Sequence, residues 1–150
     1  MAFLTLEQAE TICDAATAEW KKRGWNPLTI AVFDGRGALR VFKQPDPSTL
    51  SRGDIAMGKG YGAFVWGQPT RTLAERVKNG FPGHEPINLR NQGRIVPLTG
   101  GVVIRDKDGD MIGSVGVSGD RSERDEACAI LGIKAAGLFP DPAEPEQAKL

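Results

Sequence analysis

The chain has 150 residues, of which 19 are basic and 19 acidic, so its formal net charge at pH 7 is zero. That length favours one domain, and the balanced charge argues against the basic surface with which proteins bind nucleic acids. The opening residues, MAFLTLEQAE, include two glutamates and no apolar run long enough for a signal peptide or a membrane span. We therefore expect a cytoplasmic protein with neither a nucleic-acid nor a membrane partner.

The N-terminal part of the chain predicts a helix followed by a β-hairpin. Thr5 and Gln8 form a capping-box pattern, after which apolar residues recur at helical spacing until Gly24 ends the helix. Leu28–Phe33 is apolar on both faces of an extended chain, which is typical of a central strand covered on both sides. The turn that follows predicts that Ala38–Lys43 returns as the neighbouring strand.

Two further helices and a long loop are predicted in the middle of the chain. Ser51 and Asp54 have the spacing of a helix start, and we expect this second helix to reach about Trp66. A short third helix is predicted to begin at Thr72. Residues 80–99 contain three prolines and three glycines without a clear period, which predicts an ordered but irregular loop. Long loops inside compact domains often carry function.

The segment Gly100–Gly137 predicts a second hairpin and a closing helix. Val102–Arg105 and Met111–Val117 have strand character, and Asp108-Gly109 between them favours a tight turn. A capping signature at Ser122 predicts the start of the last helix. A hairpin followed by a helix that folds back over it is typical of an α+β domain.

These elements predict one α+β domain over residues 1–138, with an antiparallel sheet flanked by helices. Residues 139–150 are rich in proline and polar side chains. We expect this C-terminal segment to be a tail, either mobile or extended as an arm onto a neighbouring subunit.

Two motifs that imitate ligand sites have better structural interpretations. Gly58–Gly62, GKGYG, resembles a phosphate-binding loop, but no strand precedes it, so we interpret its glycines as contact points of a tightly packed helix. Asp106, Asp108 and Asp110 imitate the start of a calcium loop. Met111 stands where such a loop requires glycine, and a hairpin turn is therefore favoured.

The histidine and the cysteines do not suggest a typical metal site. His84 is the only histidine, and Cys13 and Cys128 fall at apolar positions of two different helices, where we predict buried free thiols. His84 is either an ordinary exposed or hydrogen-bonded side chain or a functional donor in the irregular loop. Arg94 adds a further donor to that loop, which suits a small polar ligand or a subunit interface.

The second hairpin and the last helix also carry a family resemblance. Ile112–Gly119, IGSVGVSG, followed by Asp125–Ala127, resembles the closing signature of the GlcG/HbpS-like family, whose best-known members bind haem. The resemblance implies a profilin-like antiparallel sheet flanked by helices, and assembly into a homo-oligomer. The upstream segments that match in order are the leading helix 6–24, the strand Ile30–Asp34 with Gly35 and Gly37, Ala56 and Lys59, Pro69-Thr70 and Pro97–Gly101.

The resemblance makes haem a possible ligand without making it a required cofactor. Some haem-binding relatives use a histidine on the first helix as iron ligand, but Leu6–Gly24 contains none, and Glu19-Trp20 stands near that position. Other relatives bind haem through an oxygen ligand or at the surface. Met57 and Tyr61 are then the candidate axial ligands, although a methionine in a helix usually belongs to the core.

One branch of the family, the enhanced-formaldehyde-growth proteins of methylotrophs, senses formaldehyde without haem, and this sequence is compatible with it. A formaldehyde site requires donors for the carbonyl oxygen and, for covalent capture, a nucleophile such as a lysine amine whose pKa is lowered by burial. The side chains that we predict for such a site are His84, Arg94, Lys59, Tyr61 and Asp54.

No set of nucleophile, base and orienting residue is visible in the sequence. Ser118 lies in Val117-Ser118-Gly119, which is not the strand-to-helix elbow of hydrolases. The sequence therefore favours a non-enzymatic small-molecule-binding or sensor protein, with a small aldehyde such as formaldehyde as the leading ligand. Two alternatives stay open, namely a haem-binding or haem-degrading protein and an oligomeric structural or accessory subunit.

Overall fold

Helices pack on both faces of a five-stranded antiparallel sheet in the computed structural model, which describes residues 3–146. This architecture confirms the predicted α+β class. In chain order the elements are α1 (Leu6–Arg23), β1 (Thr29–Asp34), β2 (Leu39–Lys43), α2 (Leu50–Trp66), α3 (Thr70–Lys78), α4 (His84–Arg90), β3 (Gly101–Arg105), β4 (Met111–Ser118), α5 (Ser122–Ala135) and β5 (Phe139–Asp141).

The two predicted hairpins lie side by side and together form most of the sheet. The strand order is β2-β1-β4-β3-β5, and every neighbouring pair is antiparallel. All six residues of β1 are buried, because this strand lies between β2 and β4 and is covered on both faces. The prediction of a doubly covered strand is therefore confirmed.

Alternate residues of β1 point to opposite faces of the sheet, and each face packs against different helices. Ile30 and Val32 belong to the main core, which includes residues of α1 and α5. Ala31 and Phe33 instead form a smaller cluster with Ala56 of α2. The sheet thus separates a large apolar core from the α2 face.

α2 approaches β4 closely because glycines face each other across the contact. A Cβ on Gly60 would lie 2.7 Å from the Phe33 ring and 2.9 Å from the backbone nitrogen of Gly116. A Cβ on Gly116 would overlap the carbonyl oxygen of Ala56. The interpretation of the glycine-rich segment as part of a tightly packed helix is confirmed.

Two helices begin earlier than their capping patterns predict. α2 has Thr49 as its N-cap rather than Ser51, and no side chain caps it. α3 follows Pro69 directly, so the predicted start at Thr72 is also wrong. Thr70 connects the start of α3 to the sheet, because its Oγ1 accepts a hydrogen bond of 2.7 Å from the backbone N–H of Gly101.

The segment 80–99 is not irregular throughout, since it contains α4. Pro86 falls in the first turn of α4, where a missing backbone N–H removes no intrahelical hydrogen bond. Proline there is compatible with a helix, and for this reason its presence misled the prediction of an irregular loop.

The sheet extends beyond residue 138, the predicted end of the domain. β5 pairs with β3, and Arg105 forms an ion pair of 2.9 Å with Asp141. Lys134 of α5 forms a second ion pair of 2.8 Å with Glu144. The first residues of the predicted C-terminal tail are therefore part of the fold, whereas residues 147–150 lie outside the described residues.

The two cysteines are buried and free, as predicted. Burial raises the pKa of Cys13 to about 11 and that of Cys128 to about 12. Both thiols are therefore protonated at neutral pH, and neither has the thiolate character of a reactive cysteine.

Candidate functional site

A groove of about 440 Å³ opens beside α2, between this helix, the β1–β2 hairpin and the segment that precedes β3. Its volume is within the range of small-molecule sites. Leu39 on its rim is 43 % exposed, so the groove is open to solvent. We call this feature the α2 groove; its lining is Phe33, Leu39, Asp54, Ile55, Met57, Gly58, Tyr61, Gly93, Arg94 and Val96.

Two polar side chains that line this mainly apolar groove, Tyr61 and Arg94, are hydrogen-bonded to each other and to Asn91. Arg94 Nη2 donates a hydrogen bond of 2.7 Å to Tyr61 Oη, and Tyr61 Oη donates one of 2.9 Å to Asn91 Oδ1. The Arg94 guanidinium also lies 4.1 Å from the centroid of the Tyr61 ring, in a cation–π contact. The phenolic oxygen is therefore fixed at the groove by a charged donor on one side and a neutral acceptor on the other.

The segment that carries Arg94 is itself held by hydrogen bonds. Asn88 binds both backbone groups of Ile95, since its Oδ1 accepts from the N–H at 2.9 Å and its Nδ2 donates to the carbonyl at 3.1 Å. The N–H of Val96 donates to the carbonyl of Gly58 at 3.1 Å, which attaches the segment to α2. Because the two residues that follow Arg94 are anchored and its own N–H donates to the carbonyl of Asn91, Arg94 projects from a fixed backbone.

The opposite wall of the groove depends on a buried carboxylate. Asp34 follows Phe33 and accepts hydrogen bonds from the backbone and guanidinium of Arg36, from the Arg40 guanidinium and from the N–H of Ala38. Burial alone would raise the pKa of Asp34, but these hydrogen bonds lower it to about 2. The ionised carboxylate closes the turn between β1 and β2.

Lys59, a predicted site residue, does not line the α2 groove. Its Nζ lies on the other side of α2, where it donates hydrogen bonds to Asp125 Oδ2 at 2.9 Å and to the carbonyl of Val117 at 3.0 Å. Lys59 is 2 % exposed and Asp125 is 1 % exposed. Burial lowers the pKa of Lys59 and raises that of Asp125, while the charge of each partner acts in the opposite direction. This lysine connects α2 to α5.

His84, the second predicted residue that lies elsewhere, is the first residue of α4. It is 8 % exposed, and its Nδ1 is buried and makes no hydrogen bond within residues 3–146. The structure therefore brings together Asp54, Tyr61 and Arg94 at the α2 groove, but neither Lys59 nor His84.

Some residues that shape the site were not predicted from the sequence. Asn91 binds Tyr61, although it was not among the five predicted site residues. The sequence signal that could have identified it is its position just before the turn formed by Gln92 and Gly93, both of which have positive φ. Asp125 and Glu126 were not predicted to form buried ion pairs. Both are buried, and each binds one cation, Lys59 and Arg71 respectively.

Other hollows in the described part of the chain offer less to a ligand. One of about 470 Å³ beside α3 is lined mainly by charged side chains such as Arg71, Glu75 and Glu123. Another of about 610 Å³, between α1 and the β2–α2 connection, includes Trp20, Phe42 and prolines. The α2 groove differs from the first hollow because its lining is mainly apolar. It differs from both because a hydrogen-bonded Tyr–Arg pair lines it.

Between residues 3 and 146, no three His, Cys, Asp or Glu side chains are grouped so that they could hold a metal ion. The three aspartates of the β3–β4 connection form a turn, in which Asp106 Oδ1 accepts hydrogen bonds from the N–H groups of Asp108 and Asp110. This geometry confirms the hairpin interpretation of that motif. No helix in the same range is long and apolar enough to cross a membrane.

Known proteins share both the sequence pattern and the fold. A protein of Citrobacter freundii, called the uncharacterized 15.0 kDa protein in the dhaT–dhaS intergenic region, is 30% identical over 129 residues, which are 86% of this chain and 89% of that protein. The crystal structure of HbpS superposes with a TM-score of 0.75 at 27% identity and covers 89% of this chain and 90% of its own.

A second solved structure, the PduOC:heme complex, has a TM-score of 0.81 at 24% identity and covers 91% of this chain and 97% of its own. At that identity the likeness establishes the fold alone. The family model described as "Haem degrading protein HbpS-like" matches residues 4–134. The family resemblance inferred from Ile112–Gly119 is thereby confirmed, and the chain belongs to the HbpS-like family.

Proposed function

We propose that this protein is a non-enzymatic small-molecule-binding protein whose ligand occupies the α2 groove. The observation that carries the proposal is the combination of a mainly apolar lining with one hydrogen-bonded cation, Arg94. Such a site suits an amphipathic ligand, since the apolar wall excludes water from the body of the ligand and a few placed polar groups orient it.

Haem is the ligand that we propose first. The residues of the groove fit it, because Phe33, Leu39 and Val96 present apolar surface to a macrocycle and Arg94 adds a positive charge to the lining. Met57 and Tyr61 carry the sulfur and oxygen atoms that can coordinate iron. Membership of the family and the fold shared with a haem-bound relative support this choice. When bound, haem would supply its iron as the electrophilic centre.

The experiment that tests the proposal is a titration of the purified protein with haemin, followed by the Soret absorbance. We expect a saturable shift with one haemin per chain. A change that neither saturates nor reaches one equivalent would contradict the proposal, since it would reflect nonspecific association with exposed apolar surface.

A small aldehyde such as formaldehyde is the second candidate. It is favoured by the polar groups on the same groove, where Arg94 and Tyr61 can donate to a carbonyl oxygen and Asp54 can accept from its hydrate. Lys59 does not contribute to this version of the proposal, because its amine is buried against Asp125. Calorimetry with formaldehyde should give heat beyond that of a control protein; equal heats would exclude this candidate.

Assembly into a homo-oligomer in the cytoplasm stays a prediction. The glycines of α2 do not support it, because they contact Phe33, Val96 and β4 of their own chain. Two strongly exposed leucines, Leu50 (82 %) and Leu89 (78 %), are compatible with a contact between subunits. Light scattering should give a multiple of the 16.1 kDa chain mass, and a monomer mass at micromolar concentration would refute the prediction.

A further inference from the structure

We infer that Tyr61 is the axial ligand of ferric haem in the α2 groove, with Arg94 as the residue that positions its oxygen. The inference rests on the proposed function, since it assigns a role within the same groove. It concerns the atom that binds the iron, for which the sequence left Met57 and Tyr61 as the two candidates.

The first argument is the placement of the oxygen. Tyr61 Oη is held at 2.7 Å from Arg94 Nη2 and at 2.9 Å from Asn91 Oδ1, so its position is set before any ligand arrives. Its ring is fixed too, because the Arg94 guanidinium covers one face and the Phe33 ring lies 6.4 Å away at a tilted angle. A pre-organised donor atom binds with a smaller entropic cost than a mobile one.

The second argument is the charge beside the oxygen. The Arg94 guanidinium donates a hydrogen bond to the phenolic oxygen, so a phenolate that coordinated ferric iron would have a cation beside it. Arg94 keeps this hydrogen bond in either form, because an oxygen that loses its proton remains an acceptor.

The third argument separates Tyr61 from Met57. Met57 has a flexible thioether, and both Met57 and Tyr61 pack against the small cluster of Ala31, Phe33 and Ala56. A thioether is a soft, neutral ligand, whereas a phenolate is a hard anion that matches the charge of ferric iron. Packing is thus common to both residues, and they differ in the donor atom, since only Tyr61 offers an oxygen held by two hydrogen bonds.

The binding step involves no change of oxidation state. Tyr61 Oη would release its proton to solvent, its hydrogen bond to Asn91 Oδ1 would end, and the oxygen would replace the water or hydroxide that ferric haem carries in solution, which would leave to solvent while the iron stays ferric. Arg94 continues to donate to the same oxygen. No reductant, oxidant or additional group is needed.

The test uses the fact that Tyr61 is the only tyrosine in the chain. Protein grown with ring-deuterated tyrosine is loaded with haemin and compared with unlabelled protein by resonance Raman spectroscopy. We expect iron–phenolate bands that shift on deuteration, remain in Met57→Leu and vanish in Tyr61→Phe. The haemin affinity of Tyr61→Phe should fall by about tenfold or more, while that of Met57→Leu stays within about twofold.

Metal-free protoporphyrin IX distinguishes this inference from the proposed function. It should bind wild type and Tyr61→Phe with equal affinity, since it lacks the iron but occupies the same groove. If porphyrin and haemin bind and the labelled wild type shows no phenolate band, Tyr61 is not the axial ligand. The proposal that the ligand occupies the α2 groove is then retained. If neither compound binds the wild type, the proposed function fails and this inference fails with it.

Discussion

Lys59 and Tyr61 are two residues apart on α2, yet their environments have opposite character. A separation of two residues rotates a helical side chain by about 200°, so Lys59 enters the interior and Tyr61 faces the groove. The Lys59 ammonium is enclosed and bound to a buried carboxylate. The Tyr61 hydroxyl has partners that can be exchanged for a ligand.

This difference separates a stabilising role of Lys59 from the binding role that we propose for Tyr61. Removing one partner of a buried ion pair is strongly destabilising, because the charge that remains is then desolvated and unpaired. A polar group at an open groove loses little when a contact is removed, because water or a ligand can replace it. We therefore expect substitutions at Lys59 to affect folding and substitutions at Tyr61 to affect binding.

The largest expected effect is that of Lys59→Met on stability. It leaves Asp125 buried without its cation and should lower the free energy of unfolding by about 3–5 kcal/mol. Urea unfolding followed by circular dichroism measures the change. The haemin affinity of the remaining folded protein should equal that of the wild type.

The double variant Lys59→Met/Asp125→Asn is the control for that prediction. Asparagine keeps an oxygen for the N–H of Asp120, which Asp125 Oδ1 binds at 3.0 Å, but carries no charge. The double variant should therefore be more stable than Lys59→Met alone. A double variant that is less stable than the single one would mean that the Lys59–Asp125 charge pairing is not what stabilises this junction.

An intermediate effect is expected at Asp34, which supports the β1–β2 wall of the groove. Its pKa is about 2 in the folded protein against 3.8 as the ordinary value, so protonation favours the unfolded chain. The carboxylate contributes about 2 kcal/mol above the ordinary pKa, and this contribution is lost as the pH falls through about 2. The stability difference between wild type and Asp34→Asn should therefore shrink on acidification.

Unfolding by urea at a series of pH values between about 6 and about 2 measures that difference. Asp34→Asn is the control for the wild type, because all other carboxylates titrate in both proteins and their effect cancels in the difference. A difference that stays constant over this range would show that the Asp34 hydrogen bonds do not depend on its charge.

A smaller effect is expected from the contact between α2 and β4. Gly60→Ala introduces a Cβ against backbone and ring atoms and should cost about 1–2 kcal/mol, even though alanine favours helix. Gly53→Ala is the matched control on the same helix, since its Cβ would meet the flexible end of Gln44 and the Phe42 ring at 3.0–3.1 Å. If thermal unfolding shows equal effects for the two variants, the close approach at Gly60 does not limit the packing.

The sequence predicts much of the fold because its signals are local. The Thr5–Gln8 capping box is present in the structure with both of its hydrogen bonds, and the glycines at the ends of α1 and α2 have positive φ. α4 was missed because proline in a first helical turn looks the same in a sequence as proline in a loop.

The site was harder to predict because it depends on contacts between residues distant in sequence. Tyr61 and Arg94 are 33 residues apart and meet only after the segment before β3 folds onto α2. Lys59 is of the residue type expected for a reactive amine. The direction in which its side chain points depends on its position around the helix and on Asp125, 66 residues further along the chain. Residue type alone did not separate these two roles.

The central claim, that α2 presents a ligand groove beside Tyr61, is tested most directly by parallel haemin titrations of Leu39→Glu and Leu50→Glu. Both leucines are exposed, and only Leu39 lines the groove. We predict that Leu39→Glu lowers the haemin affinity by about tenfold or more, while Leu50→Glu binds like the wild type. Equal affinities in both variants and the wild type would contradict the claim and place the ligand elsewhere.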